Sequence, residues 1–196
     1  HNRLIAFQLA QGMNAQALAT ATAASERFPG QDQIKIALAR AELRNGRYQA
    51  CYETLDKATV LPFEGQRDIQ SLYANCQMAL AIEAIRTGNF KLAEERLKGS
   101  KVYPEHLGTG RPADPDFRVQ DYLLMLAYER AGGPASAADA AARKAEFDAY
   151  AARHATKNWA SLSGQLATWV STSLEQKDPM AALDELSSIV RGPRGR

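Results

Sequence analysis

Apolar residues recur at helical spacing along most of the chain. One predicted helical face, for example, carries Leu72, Cys76, Ala79, Ile82 and Ile85, which fits a helix with 3.6 residues per turn. Strict alternation of apolar and polar residues, the pattern of a half-buried strand, is not sustained anywhere in the sequence. Glycine and proline interrupt the helical pattern at intervals too short for long bundle helices. The pattern therefore predicts an all-α chain made of many short helices.

Four glycines end helical runs of similar sequence. The runs read FQLAQG, RAELRNG, IEAIRTG and AYERAGG, and their turn glycines are Gly12, Gly46, Gly88 and Gly132. An alanine-rich second helix is predicted after each turn. The glycines are spaced by 34, 42 and 44 residues. Because a single helical hairpin cannot bury its apolar face alone, this repetition predicts hairpins that stack and share a core.

The spacing of 34 residues, together with the residues at fixed distances from each glycine, resembles the tetratricopeptide repeat. In that family a leucine stands on the first helix of each unit, and small or apolar residues stand at three core positions of the second helix. On the first helices the corresponding residues are Leu4, Leu38, Leu80 and Leu124. On the second helices the three core positions hold Ala17, Ala21 and Ala24 in the first unit, Cys51, Leu55 and Ala58 in the second, Ala93, Leu97 and Ser100 in the third, and Ala137, Ala141 and Lys144 in the fourth. This register predicts that Ala93 is buried and that its neighbour Glu94 lies on the surface.

The resemblance implies a right-handed α-solenoid of about ten helices, forming one superhelical domain over residues 1–191. The longer second and third spacings place insertions at LPFEGQRD and YPEHLGTGRPADPDF. The predicted units cover residues 1–30, 31–64, 67–104, 115–153 and 158–190, and residues 192–196 are expected to form a flexible tail.

Local signals predict where some of the later helices begin. Asp114 and Pro115 are expected to start a helix after the second insertion, because proline suits the first helical turn. Near the C-terminus, Asp178 is expected to cap the last helix and Pro179 to open it. Trp169 and Leu186 are expected to be buried in this fifth, degenerate hairpin, which is predicted to cap the array.

The resemblance also implies a binding surface, because the first helix of each tetratricopeptide unit lines the concave side, where peptides lie. The glycine register places ten residues there: Ile36, Arg40, Arg44, Asn75, Met78, Ile82, Arg86, Tyr122, Leu126 and Arg130. Arg44, Arg86 and Arg130 share one position in three units, which predicts a row of positive charge for acidic or amphipathic segments. Arginine at a helix C-terminus is also an ordinary solvated residue, so both interpretations of this row stay open.

Chaperone-binding members of the family grip a peptide C-terminal carboxylate with lysine and asparagine side chains. The nearest positions in this chain hold Asn2, Ala6, Ile36 and Arg40. That pattern is missing, so this class of partner is not expected.

The segments YPEHLGTGRP and DYLLMLAYERAGG also resemble the C-terminal helical repeats of a bacterial family of uncharacterised function, in which the repeats follow β-sandwich regions. This second resemblance implies a bacterial source, in the cytoplasm or the periplasm. It also implies an alternative function, as a structural or dimerising appendage of a larger, carbohydrate-associated protein, and it leaves a homodimer open. The loop over residues 103–116 is either a binding element or a bridge between two shifted helices.

Composition and charge narrow the classes of partner. The chain holds 24 lysine and arginine residues against 22 aspartate and glutamate residues. Its net charge is therefore too small to indicate electrostatic attraction to nucleic acid or to a membrane surface. No apolar run is long enough to span a membrane, and no charged-then-apolar leader is present. The sequence therefore predicts a soluble chain that binds a protein or peptide. It begins without methionine, and we expect it to be a piece of a longer protein.

Catalytic and metal chemistry find no support in the sequence. His1, His106 and His154 lack a second ligand at metal-binding spacing. Cys51 and Cys76 lie in apolar helical patterns and are interpreted as small buried residues. The segment GTGRP follows no predicted strand and lacks the lysine of a phosphate-binding loop. We therefore predict no catalytic residue, no metal and no cofactor, and we expect a non-catalytic interaction module.

Overall fold

The computed structural model describes the backbone of residues 1–60 and 67–192, and the side chains of residues 1–60 and 69–192. Within these residues the chain is entirely helical, with ten α-helices and no strand. The predicted all-α class is therefore confirmed. The first predicted insertion, LPFEGQRD, and the last four residues of the predicted tail lie outside the described side chains.

The helices follow one another as five consecutive pairs, each joined by a short turn or loop. A single 3₁₀ turn, Glu105–Leu107, lies between the third and fourth pairs, and a π-helical segment, Val170–Leu174, continues the ninth helix. The pairs are α1 (Asn2–Ala10) with α2 (Asn14–Arg27), α3 (Asp32–Arg44) with α4 (Tyr48–Asp56), α5 (Arg67–Arg86) with α6 (Phe90–Ser100), α7 (Arg118–Ala131) with α8 (Pro134–Arg153), and α9 (Trp159–Trp169) with α10 (Pro179–Arg191).

The first three turn glycines close their helices in the same way. Gly12, Gly46 and Gly88 have backbone φ angles of 72°, 71° and 74°, a left-handed conformation that glycine adopts without a Cβ penalty. In each turn the residue after the glycine donates its N–H to a carbonyl five residues earlier, as in Met13 to Gln8 at 2.8 Å. This is the Schellman arrangement, which satisfies the last carbonyls of the helix. The repeated sequence therefore corresponds to a repeated backbone turn.

The chain divides into two compact units. The N-terminal unit comprises His1–Gln77 and Val102–Arg111, and the C-terminal unit comprises Met78–Lys101 and the described residues from Pro112 onward. The boundary at Gln77 falls inside α5, whose two parts are assigned to different units.

Alanine lines the core of the N-terminal unit. Ala17 and Ala21 of α2 and Ala41 of α3 are completely buried, and they pack in one cluster with Ile5 and Ala37. Leu9, Leu18 and Leu38 pack against this cluster from its edge. Small side chains at these positions let the two helical hairpins approach closely, which is what the repeat register predicts for them.

The buried residues of the second helices test the repeat register. In the first three pairs the predicted core positions have low exposure, including Ala17, Cys51 and Ala93, each 0% exposed. In the fourth pair the prediction is wrong, because Ala137 and Lys144 are exposed. Ala141 is exposed as well, and α8 instead buries Ala140, Phe147 and Ala151.

A different turn accounts for this shift. Gly132 and Gly133 both have positive φ, of 72° and 90°, and Pro134 begins α8 directly after them. The preceding helix ends one residue before Gly132, whereas α1, α3 and α5 end two residues before their glycines. The second helix of this pair therefore presents another face to its neighbours.

The fourth pair also begins later than predicted. The helix starts at Arg118, so Asp114 and Pro115 lie in the loop and the prediction that they start it is wrong. The carboxylate of Asp114 is engaged elsewhere, with Nη2 of Arg153 at 3.2 Å and Nε2 of His154 at 2.7 Å. These bonds tie the loop to the end of α8 instead of capping the next helix.

The central helix of the C-terminal unit is α7. All ten residues from Arg118 to Ala127 are buried, the pattern of a helix surrounded by other elements. Arg118, although charged, is satisfied by two bonds of 3.0 Å to the carboxylate of Asp116 and by Thr156.

The fifth pair confirms the predicted capping. The side chain of Asp178 accepts hydrogen bonds from the backbone N–H groups of Met180 and Ala181, and Pro179 is the first residue of α10. Trp169 and Leu186 are 1% and 0% exposed, as predicted. The indole Nε1 of Trp169 donates to the carbonyl of Ala182 at 2.8 Å, so its polar atom is satisfied inside the hairpin.

Candidate functional site

A cavity opens in the N-terminal unit between the first helices of the first two pairs. Its volume is about 520 Å³, which lies within the range of ~300–1,000 Å³ typical of ligand pockets. The described lining residues are Asn2, Arg3, Ile5, Ala6 and Leu9 of α1, Gln33, Ile36, Ala37 and Arg40 of α3, and Ile69 of α5.

The floor of this cavity is aliphatic. Ile5, Ile36 and Ile69 are 1%, 4% and 3% exposed, and Ala37 lies beside them at 8%. The floor therefore consists of hydrocarbon contributed by three helices, α1, α3 and α5.

The rim of the cavity is polar and positively charged. Arg3 on α1 and Arg40 on α3 are exposed, and Asn2 and Gln33 add two exposed amides. No hydrogen bond or ion pair joins either guanidinium to a described residue, and no carboxylate is among the described lining residues. The cavity thus combines an apolar floor with two cations that have no partner among the described residues.

The predicted site residues of the N-terminal unit are only partly brought together. Ile36 and Arg40 line the cavity, whereas Arg44 is exposed outside its described lining and Asn75 is half-buried outside it. Arg3 was not predicted. Its position, nine residues before the turn glycine, is also that of Ala37 and is not one of the positions predicted for the concave side, so extending the register to α1 would not have found it.

The apolar residues predicted for a binding face in the C-terminal unit are buried. Met78, Ile82, Tyr122 and Leu126 are 4%, 0%, 2% and 7% exposed. Their side chains are core residues in this structure, and their part in partner binding stays a prediction that this burial does not favour.

Tyr122 shows how this burial arises. Its hydroxyl donates to the carbonyl of Leu166 at 3.3 Å. Its ring lies 5.2 Å from that of Trp159 and 5.8 Å from that of Trp169, between ring centroids. Burial raises the pKa of the Tyr122 hydroxyl above its ordinary value. The side chain is thus an anchor for α9.

The two predicted arginines of the C-terminal unit already have partners. Arg86 donates from its guanidinium to the carbonyls of Leu174 and Lys177, at the end of the π-helical segment. Arg130 forms an ion pair of 2.7 Å with Glu175. The predicted row of positive charge therefore contains two arginines whose guanidinium groups already bind residues at or next to the fifth pair.

A buried carboxylate lies on α3, on the side that meets α4. Glu42 is 8% exposed, and its Oε2 has no hydrogen-bond partner among the described residues. Burial raises the pKa of Glu42 above its ordinary value of 4.5, although the hydroxyl of Thr54 and the charge of Arg47 act in the opposite direction. The folded state therefore tolerates the protonated form of Glu42 better than the ionised form.

Glu42→Gln is expected to raise the melting temperature at pH 7. Because the pKa of Glu42 is higher in the folded than in the unfolded chain, wild-type stability falls as pH rises through 4.5 towards the folded pKa. The neutral amide avoids this loss, so the gain should vanish below about pH 4. Melting followed by circular dichroism from acid to neutral pH measures it, with Glu26→Gln, at an exposed position on α2, as control. A lower melting temperature for Glu42→Gln at pH 7 would contradict the expectation.

The two cysteines are buried and unoxidised, in agreement with their interpretation as small core residues. Cys51 of α4 and Cys76 of α5 are both 0% exposed, and they are free thiols. The pKa of the Cys51 thiol is raised by its hydrogen bond with Cys76 and by burial, which leaves little of the reactive thiolate. Among the described residues no group of three His, Cys, Asp or Glu side chains could hold a metal ion.

Each half of the loop over residues 103–116 is anchored within its own unit. In the N-terminal unit, Leu107 is fully buried and the carbonyl of His106 accepts the N–H of Val60 at 2.7 Å. In the C-terminal unit, Asp116 binds Arg118 and lies 3.3 Å from Nε of Arg191. These contacts favour the interpretation of the loop as a structural connection.

The comparisons with known proteins agree with part of the sequence-based interpretation. Residues 8–76 match a family model for the tetratricopeptide repeat. This match covers about a third of the chain, from Gln8 near the end of α1 to Cys76. Tetratricopeptide repeats generally mediate protein–protein interactions and are typically non-catalytic. Neither the curated proteins nor the solved structures gave a significant match.

The second resemblance, to a bacterial family with β-sandwich regions, is not supported by these comparisons. No helix of the described part of the chain is both long enough and apolar enough to cross a lipid bilayer.

Proposed function

We propose that this chain is a non-catalytic interaction module that binds a peptide or protein segment on the surface formed by the first helices of its hairpins. The repeats would continue as a right-handed solenoid, with each first helix on the concave side. The observation that carries the proposal is the cavity between α1 and α3, which has six of its ten described lining residues in the segment that matches the tetratricopeptide repeat, residues 8–76.

The mechanism follows from the way the cavity is built. Its floor residues belong to packed helices, so little of the protein needs to become ordered when a partner binds, and binding loses less free energy to ordering. An apolar floor supplies anchor positions whose desolvation favours binding, while a polar rim fixes the orientation of the partner. The cavity is confined to the N-terminal unit, so the proposed surface is smaller than the ten predicted residues.

Filling the cavity tests this proposal. Ala6 is exposed and lines the cavity, so Ala6→Trp blocks it with little change to the core. Peptides selected on the intact wild-type chain from a random displayed library should bind Ala6→Trp at least about tenfold more weakly. The matched control is Ala10→Trp, at an exposed position on the same helix outside the described lining. Circular dichroism and melting temperature show whether both variants fold.

Peptide binding that survives in Ala6→Trp would contradict the cavity as the binding site.

A second candidate function, dimerisation, rests on two exposed side chains of α1, Leu4 and Phe7, at 50% and 57% exposure. Light scattering of the wild type at increasing concentration distinguishes the two functions. A dimer that dissociates on Phe7→Ser, in the absence of cavity-dependent peptides, would favour the second.

A further inference from the structure

The geometry points to an acidic, amphipathic segment as the partner of the α1–α3 cavity, and this inference rests on the function proposed above. We infer that a carboxylate of the segment binds between Arg3 and Arg40, and that a neighbouring aliphatic side chain enters the floor formed by Ile5, Ile36 and Ile69. The recognition element is therefore one pair of arginines on two different helices.

The charge of the rim is the first step of the argument. Arg3 and Arg40 lie on the lining of the same cavity, and neither is joined to a described residue by a hydrogen bond or an ion pair. A guanidinium presents a planar fork of donors that matches a carboxylate with two parallel hydrogen bonds. Within the described part of the chain, no ion pair has to break before either arginine binds a ligand.

The arginines of the C-terminal unit give the contrast. Arg86 is held by the carbonyls of Leu174 and Lys177, and Arg130 is held by Glu175. A ligand carboxylate would have to displace these partners before it could bind. Acid recognition is therefore expected in the N-terminal unit, although the shared register position of Arg44, Arg86 and Arg130 suggests a continuous row.

The floor sets the second half of the specificity. Its side chains are aliphatic, and no aromatic ring is among the described lining residues, whose two charged groups, Arg3 and Arg40, lie on the rim. An aliphatic side chain of the ligand would lose its contact with water there, at roughly 25 cal/mol for each Å² buried. The amides of Asn2 and Gln33 stand on the rim, where they can bond the backbone of an extended segment.

The segment that fits must carry glutamate or aspartate within one or two residues of leucine, isoleucine or valine. A purely acidic segment would leave the floor empty, and a purely apolar one would leave two cations unpaired. A basic segment would be repelled by both guanidinium groups.

Selection from a random dodecapeptide library displayed on phage, with the intact chain as bait, tests the inference. The enriched peptides should combine acidic and aliphatic residues. Synthetic copies should lose at least about tenfold in affinity towards Arg3→Glu and Arg40→Glu, as measured by fluorescence anisotropy. Lys91→Glu makes the same charge change at an exposed position in the first turn of α6, and it should change the affinity less than about threefold.

A second measurement separates pairing with the arginines from general attraction. Copies of the peptides with glutamine in place of each glutamate should also bind at least about tenfold more weakly to the wild type. Their remaining affinity should depend little on salt, whereas that of the acidic peptides should fall between about 0.05 and 0.5 M salt.

The outcomes distinguish this inference from the proposed function. Neutral or basic peptides that lose affinity on Ala6→Trp would overturn the acidic partner and leave the cavity as the site. Acidic peptides that bind Arg40→Glu as tightly as the wild type would overturn the arginine pair. If no selected peptide depends on Ala6, the proposed function itself fails, and the inference fails with it.

Discussion

Replacement of Ala93 by tryptophan is expected to lower the free energy of unfolding by about 3 kcal/mol or more. Ala93 lies on α6 and is 0% exposed, and one turn further along the same helix Leu97 is 0% exposed as well. An indole cannot fit where a methyl group is fully enclosed, so α6 would have to move away from the helices that it contacts. Overpacking of this kind is one of the few causes of large destabilisation by a single substitution. Urea denaturation followed by circular dichroism measures the change.

The control for this substitution lies on the exposed side of the same helix. Glu94, which the register places on the surface, is a poor control, because its carboxylate accepts hydrogen bonds from Tyr128 at 2.9 Å and from Lys98 at 2.6 Å. Glu95 is exposed and has no such bonds to described residues, so Glu95→Trp is the better control and should change the free energy by less than about 0.5 kcal/mol. Equal stability of Ala93→Trp and Glu95→Trp would show that α6 is turned differently.

The helices and three of their turns could be predicted because the signals are local. A glycine with left-handed φ is needed where a Schellman turn reverses the chain, and the chain places Gly12, Gly46 and Gly88 at such points. Burial then follows at fixed distances along the next helix, as the three fully buried residues Ala17, Cys51 and Ala93 show. Sequence spacing is sufficient where the turn geometry is constant.

The fourth pair could not be predicted in detail because its turn is different. Two consecutive glycines and Pro134 follow α7, whereas each of the first three turns has a single glycine. A register counted from Gly132 assumes the geometry of the other turns and assigns Ala137 to the core. The actual turn instead buries Ala140 and Phe147. The sequence alone does not show how far this turn rotates α8 relative to the second helices of the other pairs.

Only part of the candidate site could be predicted, because contacts between residues far apart along the chain leave no local signal in the sequence. Arg86 binds carbonyls 88 and 91 residues further on. No periodic pattern in the sequence marks such a contact. The positions on α5 and α7 that were predicted to face a partner are therefore covered by other residues of the chain, which the sequence did not indicate. In the N-terminal unit the same register was useful, because Ile36 and Arg40 line the cavity.

The arginine pair illustrates what a register based on repeated residues overlooks. Arginine recurs at one register position, as Arg44, Arg86 and Arg130, but these three side chains lie in different environments in the structure. Arg3 occurs once in its register position, where later units hold Ala37 and Ala79. A binding site needs side chains that are close in space, whether or not the repeats share them.

Trp169→Ala is expected to lower the free energy of unfolding by about 3–5 kcal/mol. The side chain is 1% exposed, and its removal leaves a cavity next to Tyr122, whose ring centroid lies 5.8 Å away. It also leaves the carbonyl of Ala182 without the donor that now binds it. Because Trp169 holds α9 to α10 and packs on Tyr122, this substitution tests whether Tyr122 belongs to the core.

Two further variants divide this effect into its parts. Trp169→Phe keeps an aromatic ring but loses the hydrogen bond to Ala182, so it should be intermediate between the wild type and Trp169→Ala. Thr168→Ala changes the exposed neighbour of Trp169, whose hydroxyl bonds within its own helix to the carbonyl of Gly164, and it should change the free energy by less than about 0.5 kcal/mol. Near-UV circular dichroism of the remaining aromatic residues reports on the packing of Tyr122. A Trp169→Ala variant as stable as Thr168→Ala would mean that the fifth pair does not cover this face, and Tyr122 would again become a candidate for partner binding.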